Sequence, residues 1–237
     1  MVGNLIQNEL MKFFVRKRTW VYFIIFYSIP FLFILIYFFK TGSAWQKSFI
    51  DFALVFQLSF IGIYTTILAA TTVAEEYVNG TIKQLLIRPY SRTNVLLSKY
   101  FAVFLMLLFQ LIGTYLIAYI LTWFFTIEKV YFSLFIRDLL YALILQTVYM
   151  TIAFMIATLT RKSALAIALT IFLQLTQGLS SFINMFYPFL SKYYLFGLLN
   201  LGQLPEGVSL AWAILVIAIY YIIFILVTFQ AFSRRDV

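Results

Sequence analysis

The residues of this chain that could do chemistry are few and fall in small groups. Glu75 and Glu76 are adjacent carboxylates at the end of an apolar run, and Gly197-Leu198-Leu199-Asn200-Leu201-Gly202 has the glycine spacing of a phosphate-cradling loop. Such a loop needs Lys and then Ser or Thr after its second glycine, to neutralise phosphate and to hold Mg²⁺. Gln203 and Leu204 stand there instead. The chain has no His and no Cys, which removes the usual zinc sites, the thiolate nucleophile and the imidazole base of a catalytic triad. The acidic residues lie at the ends of apolar runs, so no carboxylate pair is set inside a membrane bundle for acid–base work. The sequence predicts no catalytic residue, no cofactor and no metal on this chain.

The elements that would position these groups are set by composition. The chain has 237 residues, 64% hydrophobic and 11% charged, against roughly 45–50% and about 25% in an ordinary soluble domain. Apolar runs cover 20–39, 52–74, 100–125, 139–159, 164–187 and 210–232, each about the 20 residues that a bilayer crossing requires. Backbone polar groups cannot go unpaired in lipid, and no run alternates as a barrel strand does, so the expectation is an all-α integral membrane protein of six transmembrane helices. Pro30 predicts a kink in the first. The net charge of +9 is spread in clusters at the ends of the runs and not over one polar face, which argues for a membrane and against nucleic acid. Lys12, Arg16, Lys17, Arg18, Lys83, Arg88, Arg92, Lys99, Arg161, Lys162, Arg234 and Arg235 fall on one side, and Lys40, Lys47, Lys129, Arg137 and Lys192 on the other. The richer side is cytoplasmic by the positive-inside rule, and with it both termini. A cleaved signal peptide ending near Gly42 to Ala44 is the weaker reading of the first run, which is too long for a signal core.

Two cytoplasmic elements stand out. Before the first span, Val2, Leu5, Ile6, Leu10, Phe13 and Phe14 recur at helical spacing while Lys12 and Arg16 fall largely elsewhere, which predicts an amphipathic interface helix over 1–18. The simpler reading is a basic leader that only sets topology. The stretch 75–99, EEYVNGTIKQLLIRPYSRTNVLLSK, predicts an elbow. Asn79-Gly80 makes a turn, and Thr81 with Gln84 matches a capping box that opens a short helix. Pro89 disfavours helix at Arg88, and Ser91 offers a second N-cap for the helix that follows. Ile82, Leu85 and Leu86 form an apolar strip bounded by Lys83, Arg88 and Arg92, suited either to a partner's groove or to the protein's own helix ends. Asn79-Gly80-Thr81 is formally a glycosylation sequon on the wrong side of the membrane.

The pattern resembles the membrane permease subunits of bacterial ABC-2 type exporters over essentially the whole chain. The opening NELMKFFVRKRTW and, most specifically, EEYVNGTIKQLLIRPYSRTNVLLSKY carry the likeness. The second segment is similar to the family's E-x-x-x-G-T-[IL]-x-x-L-L-x-x-P-x-x-R followed by a Lys, with Glu76, Gly80, Thr81, Leu85, Leu86, Pro89, Arg92 and Lys99 matching. The resemblance implies an ABC-2 type exporter fold in the bacterial cell membrane and a half-transporter that pairs with a second permease subunit, identical or homologous. It also implies separate ATP-binding cassette ATPase subunits that bind ATP and Mg²⁺. Residues around 75–99, Glu76, Gly80, Thr81, Ile82, Leu85, Leu86, Arg88, Pro89 and Arg92, would form the coupling helix seated on the ATPase. Leu5, Leu10, Phe13, Phe14 and Arg16 would belong to the interface helix, and the extracellular stretch 188–209 would hold short re-entrant helices.

An ion-coupled secondary transporter is the main rival, although no ionisable residue lies near the centre of a span. Gln57, Gln110, Gln146, Gln174 and Gln177 either line a path or hydrogen-bond between helices, the second being the simpler. A non-transporting scaffold or sensor linked to an ATPase would share the same elbow. The 28 Phe and 17 Tyr hint at a hydrophobic or amphipathic cargo such as a lipid, peptide or antibiotic, but Tyr also anchors helices at membrane interfaces.

Overall fold

Each apolar run forms helix, since a backbone in hydrocarbon has to satisfy its polar groups within its own segment. A computed structural model of the chain describes residues 2–41, 47–78, 91–125 and 131–233. Among them the long elements are α1 (Val2–Val15), α2 (Lys17–Thr41), α3 (Lys47–Val78), α4 (Arg92–Phe125) and α5 (Phe132–Thr160). They are followed by α6 (Ser163–Thr176), α7 (Ser180–Phe186), α8 (Pro188–Ser191), α9 (Leu195–Leu198) and α10 (Leu210–Ser233). No strand occurs among the described residues. Four helices, α3, α4, α5 and α10, are long and apolar enough to cross a bilayer, which makes this a multi-pass membrane protein. Shorter apolar stretches lie at Thr19–Ile29 in α2 and from Ser163 to Leu179.

The helices run past the apolar runs that predicted them. α3 continues through Glu75 and Glu76 to Val78, and α4 begins at Arg92, directly after the predicted N-cap Ser91 and ahead of the apolar run that starts at Tyr100. Ser91 caps α4 as expected, its Oγ accepting the Asn94 N–H at 3.2 Å. The chain stays helical on both sides of Pro30. The run 164–187 is not one α-helix: a 3₁₀ turn at Gln177–Leu179 separates α6 from α7. Gly178 sits in that turn, where low helix propensity and the tighter i→i+3 pattern go together. α1 stops at Val15, short of residue 18, and Arg16 alone separates it from α2.

α3 is the hub, packed against α2, α4, α5 and α6. Ile61, Ala69, Ala70 and Val73 on α3, Ala102, Val103, Met106 and Leu107 on α4, and Met150, Ala153 and Phe154 on α5 fill the main core. A second core joins α5 and α10 to the connection before α10: Leu195, Leu198, Leu199 and Leu201 are buried with Val148, Tyr149, Ile152 and Ile217. The rings of Tyr149 and Phe196 stack at 6.0 Å. The stretch 188–209 thus folds back onto the middle of α5 instead of standing off the bundle.

Candidate functional site

The amphipathic pattern of α1 is used against the bundle. Phe13 is buried, and Ile6, Leu10 and Phe14 pack on the main core, while Leu5 is half-buried. The face predicted to lie in the membrane interface is therefore largely spent on protein, chiefly α4. Among the described side chains of α1, Met11 and Val15 are the large apolar ones left exposed. Trp20 staples the junction with α2, its indole N–H donating to the Phe14 carbonyl at 2.8 Å.

Docking α1 this way brings its polar residues onto the ends of α3 and α4. Lys12 Nζ lies 2.7 Å from Glu9 Oε1 and 3.4 Å from Glu76 Oε1. Lys99 Nζ lies 3.4 Å from Glu9 Oε1, donates to Glu76 Oε1, and reaches the Thr72 carbonyl at 3.3 Å. Each lysine touches both carboxylates, so Glu9, Lys12, Glu76 and Lys99 close a four-membered ionic ring across three helices. The Lys99 side chain is 3% exposed and those of Glu9 and Glu76 are 10% and 12%. Burying an ammonium to that degree is costly unless partners of opposite sign are at hand, and here there are two. Burial pulls the Lys12 pKa down, but the hydrogen bond and charge of Glu9, followed by Glu76, outweigh it and hold the group above the ordinary lysine value.

Weaker ties surround the ring. Arg16 Nη2 meets Glu75 Oε2 at 3.0 Å, both more than a third exposed. Arg161 ends α5 in the left-handed region at φ 59° and lays its guanidinium 5.1 Å over the ring of Tyr77 on α3. Arg92, at the start of α4, donates to the Ser233 carbonyl at the end of α10 at 3.4 Å. A cavity of about 170 Å³ opens between Glu9, Lys12, Arg16, Thr72, Glu75 and Glu76. The charges of Glu9, Lys12, Arg16, Glu75, Glu76 and Lys99 balance one another within this group. Among the described residues no group of His, Cys, Asp or Glu is placed to hold a metal. What the arrangement can do is mechanical: it fastens α1, the end of α3 and the start of α4 into one unit.

Of the residues predicted for coupling, the structure brings Glu76 into the ring and sets Arg92 against α10. Gly80, Thr81, Ile82, Leu85, Leu86, Arg88 and Pro89 lie outside the described residues. Of the interface residues, Leu10, Phe13, Phe14 and Arg16 belong to the packed or ion-paired part of α1. Sequence reasoning missed Glu9. Its charge is conspicuous, since it is the lone acidic residue before Asp51 in a strongly basic leader, but its partners depend on how α1 docks. The glutamines resolve as inter-helix ties in three cases. Gln57 donates to Phe26 O at 3.2 Å, Gln146 to Leu58 O at 3.0 Å, and Gln174 to Thr66 Oγ1 at 3.1 Å. Gln110 is fully buried with neither amide atom hydrogen-bonded.

Comparison with known proteins gives a family and one relative. The relative is Uncharacterized protein YhcI of Bacillus subtilis (strain 168), 34% identical in an alignment of 206 residues, with 74% of this chain and 64% of that protein covered. This chain thus spans under two thirds of the relative's own length. The pattern of the family described as Protein of unknown function (DUF2705) matches residues 4–237, and with that coverage the chain belongs to the DUF2705 family.

Proposed function

We propose that this chain is the membrane permease subunit of an ATP-binding cassette exporter in the bacterial cytoplasmic membrane, with the ABC-2 type fold, six spans and both termini inside. It pairs with a second permease subunit, identical or homologous, and moves a hydrophobic or amphipathic cargo, such as a lipid, peptide or antibiotic, outward. Separate cassette subunits bind ATP and Mg²⁺ and hydrolyse the nucleotide; this chain is not the enzyme. The observation that carries the reading is the ionic ring of Glu9, Lys12, Glu76 and Lys99. Glu76 and Lys99 flank the G-T-I-K-Q-L-L-I-R-P elbow, so a push on the elbow from below would reach α3, α4 and α1 together. The four long apolar helices support the bundle; on this reading the shorter apolar stretches in α2 and from Ser163 are the remaining two crossings, and the packing of 195–201 on α5 is compatible with re-entrant helices on the outer side.

Affinity purification of the tagged chain from native membranes in mild detergent tests this. A cassette ATPase is expected to co-purify and to be lost in Leu85→Arg, with Arg88→Glu/Arg92→Glu weakening assembly through the charged rim of the same elbow. Isolation of the chain with no ATPase, or an ATPase retained equally by Leu85→Arg, would refute the proposal.

A further inference from the structure

α10 is buried at its two ends and half-buried between them, where Tyr220, Tyr221 and Phe224 lie against the second core. Its buried residues are Ala213, Val216 and Ile217 near the start and Thr228 and Phe232 near the end, with none in 218–227. The first group joins the core of α5 and the 195–201 stretch, and Phe232 joins the main core. Between these anchorages a polar tie crosses to α4: the Tyr221 hydroxyl meets that of Tyr100 at 2.8 Å, and Tyr100 also meets Thr151 Oγ1 at 2.8 Å. Beside Tyr221 lies a groove of about 330 Å³, with Phe104 of α4, Leu143 and Ile144 of α5, and Ile214 and Ala218 of α10 among its walls.

The walls define the occupant. The Tyr221 hydroxyl is engaged by Tyr100, and that of Thr147, also in the lining, donates to the Leu143 carbonyl at 2.6 Å. The groove therefore asks for no hydrogen bond and carries no charge, so its ligand is hydrocarbon. It opens from three helices that cross the bilayer, where the surrounding medium is lipid tails. From Ile214 to Tyr221 the wall rises roughly 10 Å at 1.5 Å per residue, within the roughly 15 Å of one leaflet's share of a 30 Å hydrocarbon core. A spanning helix of another chain needs about twice that height and a diameter of about 10 Å. A single acyl chain needs neither.

We propose that the groove between α4, α5 and α10 holds one phospholipid acyl chain, entering from the leaflet at the Leu210 end and stopping at Tyr221. The bilayer is as apolar as the groove, so the preference comes from close packing that fills the gap beside α10 and not from escape from water. The bound chain adds packing between the half-buried middle of α10 and its neighbours α4 and α5.

The test reconstitutes the full chain in vesicles of phosphatidylethanolamine and phosphatidylglycerol carrying a trace of phospholipid with a diazirine at mid-chain. After photolysis, labelled residues are mapped by peptide mass spectrometry. Leu143, Ile144 and Ala218 are expected to label about tenfold above Ile219 and Ile222 on the open side of α10, a preference of 1.4 kcal/mol. Ala218→Trp, or Ala218→Phe should the tryptophan variant fail to fold, plugs the groove and brings Leu143 and Ile144 down to the level of Ile222. Even labelling around α10 in the unsubstituted chain, or labelling unchanged by a folded plugged variant, overturns the proposal. The chain has no native Cys, so Ile214→Cys gives a clean probe for a second copy. Rapid cross-linking of two chains through that cysteine would mean protein covers the groove, and the proposal would fall.

Discussion

The end of the bundle where α1, α3 and α4 meet is held by full charges, whereas its middle is held by amides. In the first region Lys12 and Lys99 bridge Glu9 and Glu76. In the second, Gln146 and Gln174 converge on Gly62 of α3: a Cβ built there would lie 2.9 Å from Gln146 Oε1 and 3.5 Å from Gln174 Nε2. The difference follows the solvent. At the helix ends water and headgroups lower the cost of an ion, and a pair of lysines can be neutralised by a pair of glutamates. Deep in the bilayer an ion is far more costly, and neutral side chains that bond to backbone carbonyls or hydroxyls tie helices together instead. The charged region ties α1, α3 and α4 to one another, while the amide region sets how closely α3, α5 and α6 approach.

Charge reversal in the ring should break this comparison most severely. Glu76→Lys would set three lysines around Glu9, and a loss of about 4 kcal/mol or more is expected, since a broken buried pair leaves an uncompensated charge. Lys99→Met, which keeps the stem and removes the ammonium, should cost about 3 kcal/mol. Both are read from unfolding in mixed micelles, and a change under about 1 kcal/mol for Lys99→Met would mean that the ring is not closed. In the amide region Gly62→Ala should cost about 1–3 kcal/mol by overpacking. The same substitution combined with Gln146→Ala should recover most of that, because the Oε1 it strikes is gone. Additive losses in that cycle would place the clash elsewhere.

A sign change sharpens the contrast further. Gln146→Leu and Gln174→Leu each remove an inter-helix bond and should lower stability by about 0.6–2 kcal/mol. Gln110→Leu removes a buried amide with no hydrogen-bond partner and nearly conserves volume, so it should raise stability by about 1 kcal/mol. A lower melting temperature for Gln110→Leu would show that this amide is engaged after all.

These differences bear on what the sequence could reveal. The helices were legible because apolar runs near 20 residues have one solution in lipid, and the N-cap at Ser91 was legible because it rests on local geometry. The far end of α3 was not, since Glu75 and Glu76 break the hydropathy pattern but are carried into helix by ion pairs that only tertiary packing provides. That Glu75 and Glu76 would seek basic partners could be read from their charge. That Glu9 would join them could not, because the pairing depends on how α1 docks. The apolar face of α1 was correctly identified, but its destination was not: the same strip fits a lipid interface or a bundle, and here Phe13 and Leu10 choose the bundle. Gly62 carried no signal on its own, because its role depends on two glutamines far along the chain.

The smallest effect separates the rim of the charged region from its ring. Arg16 and Glu75 are both more than a third exposed, so water screens the pair, and Arg16→Ala is expected to cost under about 1 kcal/mol and to lose that effect in high salt. Lys12 stands between rim and ring and adds a pH dependence of known sign. Its pKa is raised on folding above 10.5, so its contribution is fully present below that value and is lost as pH climbs through the folded-state pKa. The stability difference between the unsubstituted chain and Lys12→Met should therefore be constant across neutral and mildly alkaline pH and shrink only in strong alkali. A difference that instead grows with pH would mean that Lys12 is destabilised as a cation and that Lys99 alone holds the two carboxylates.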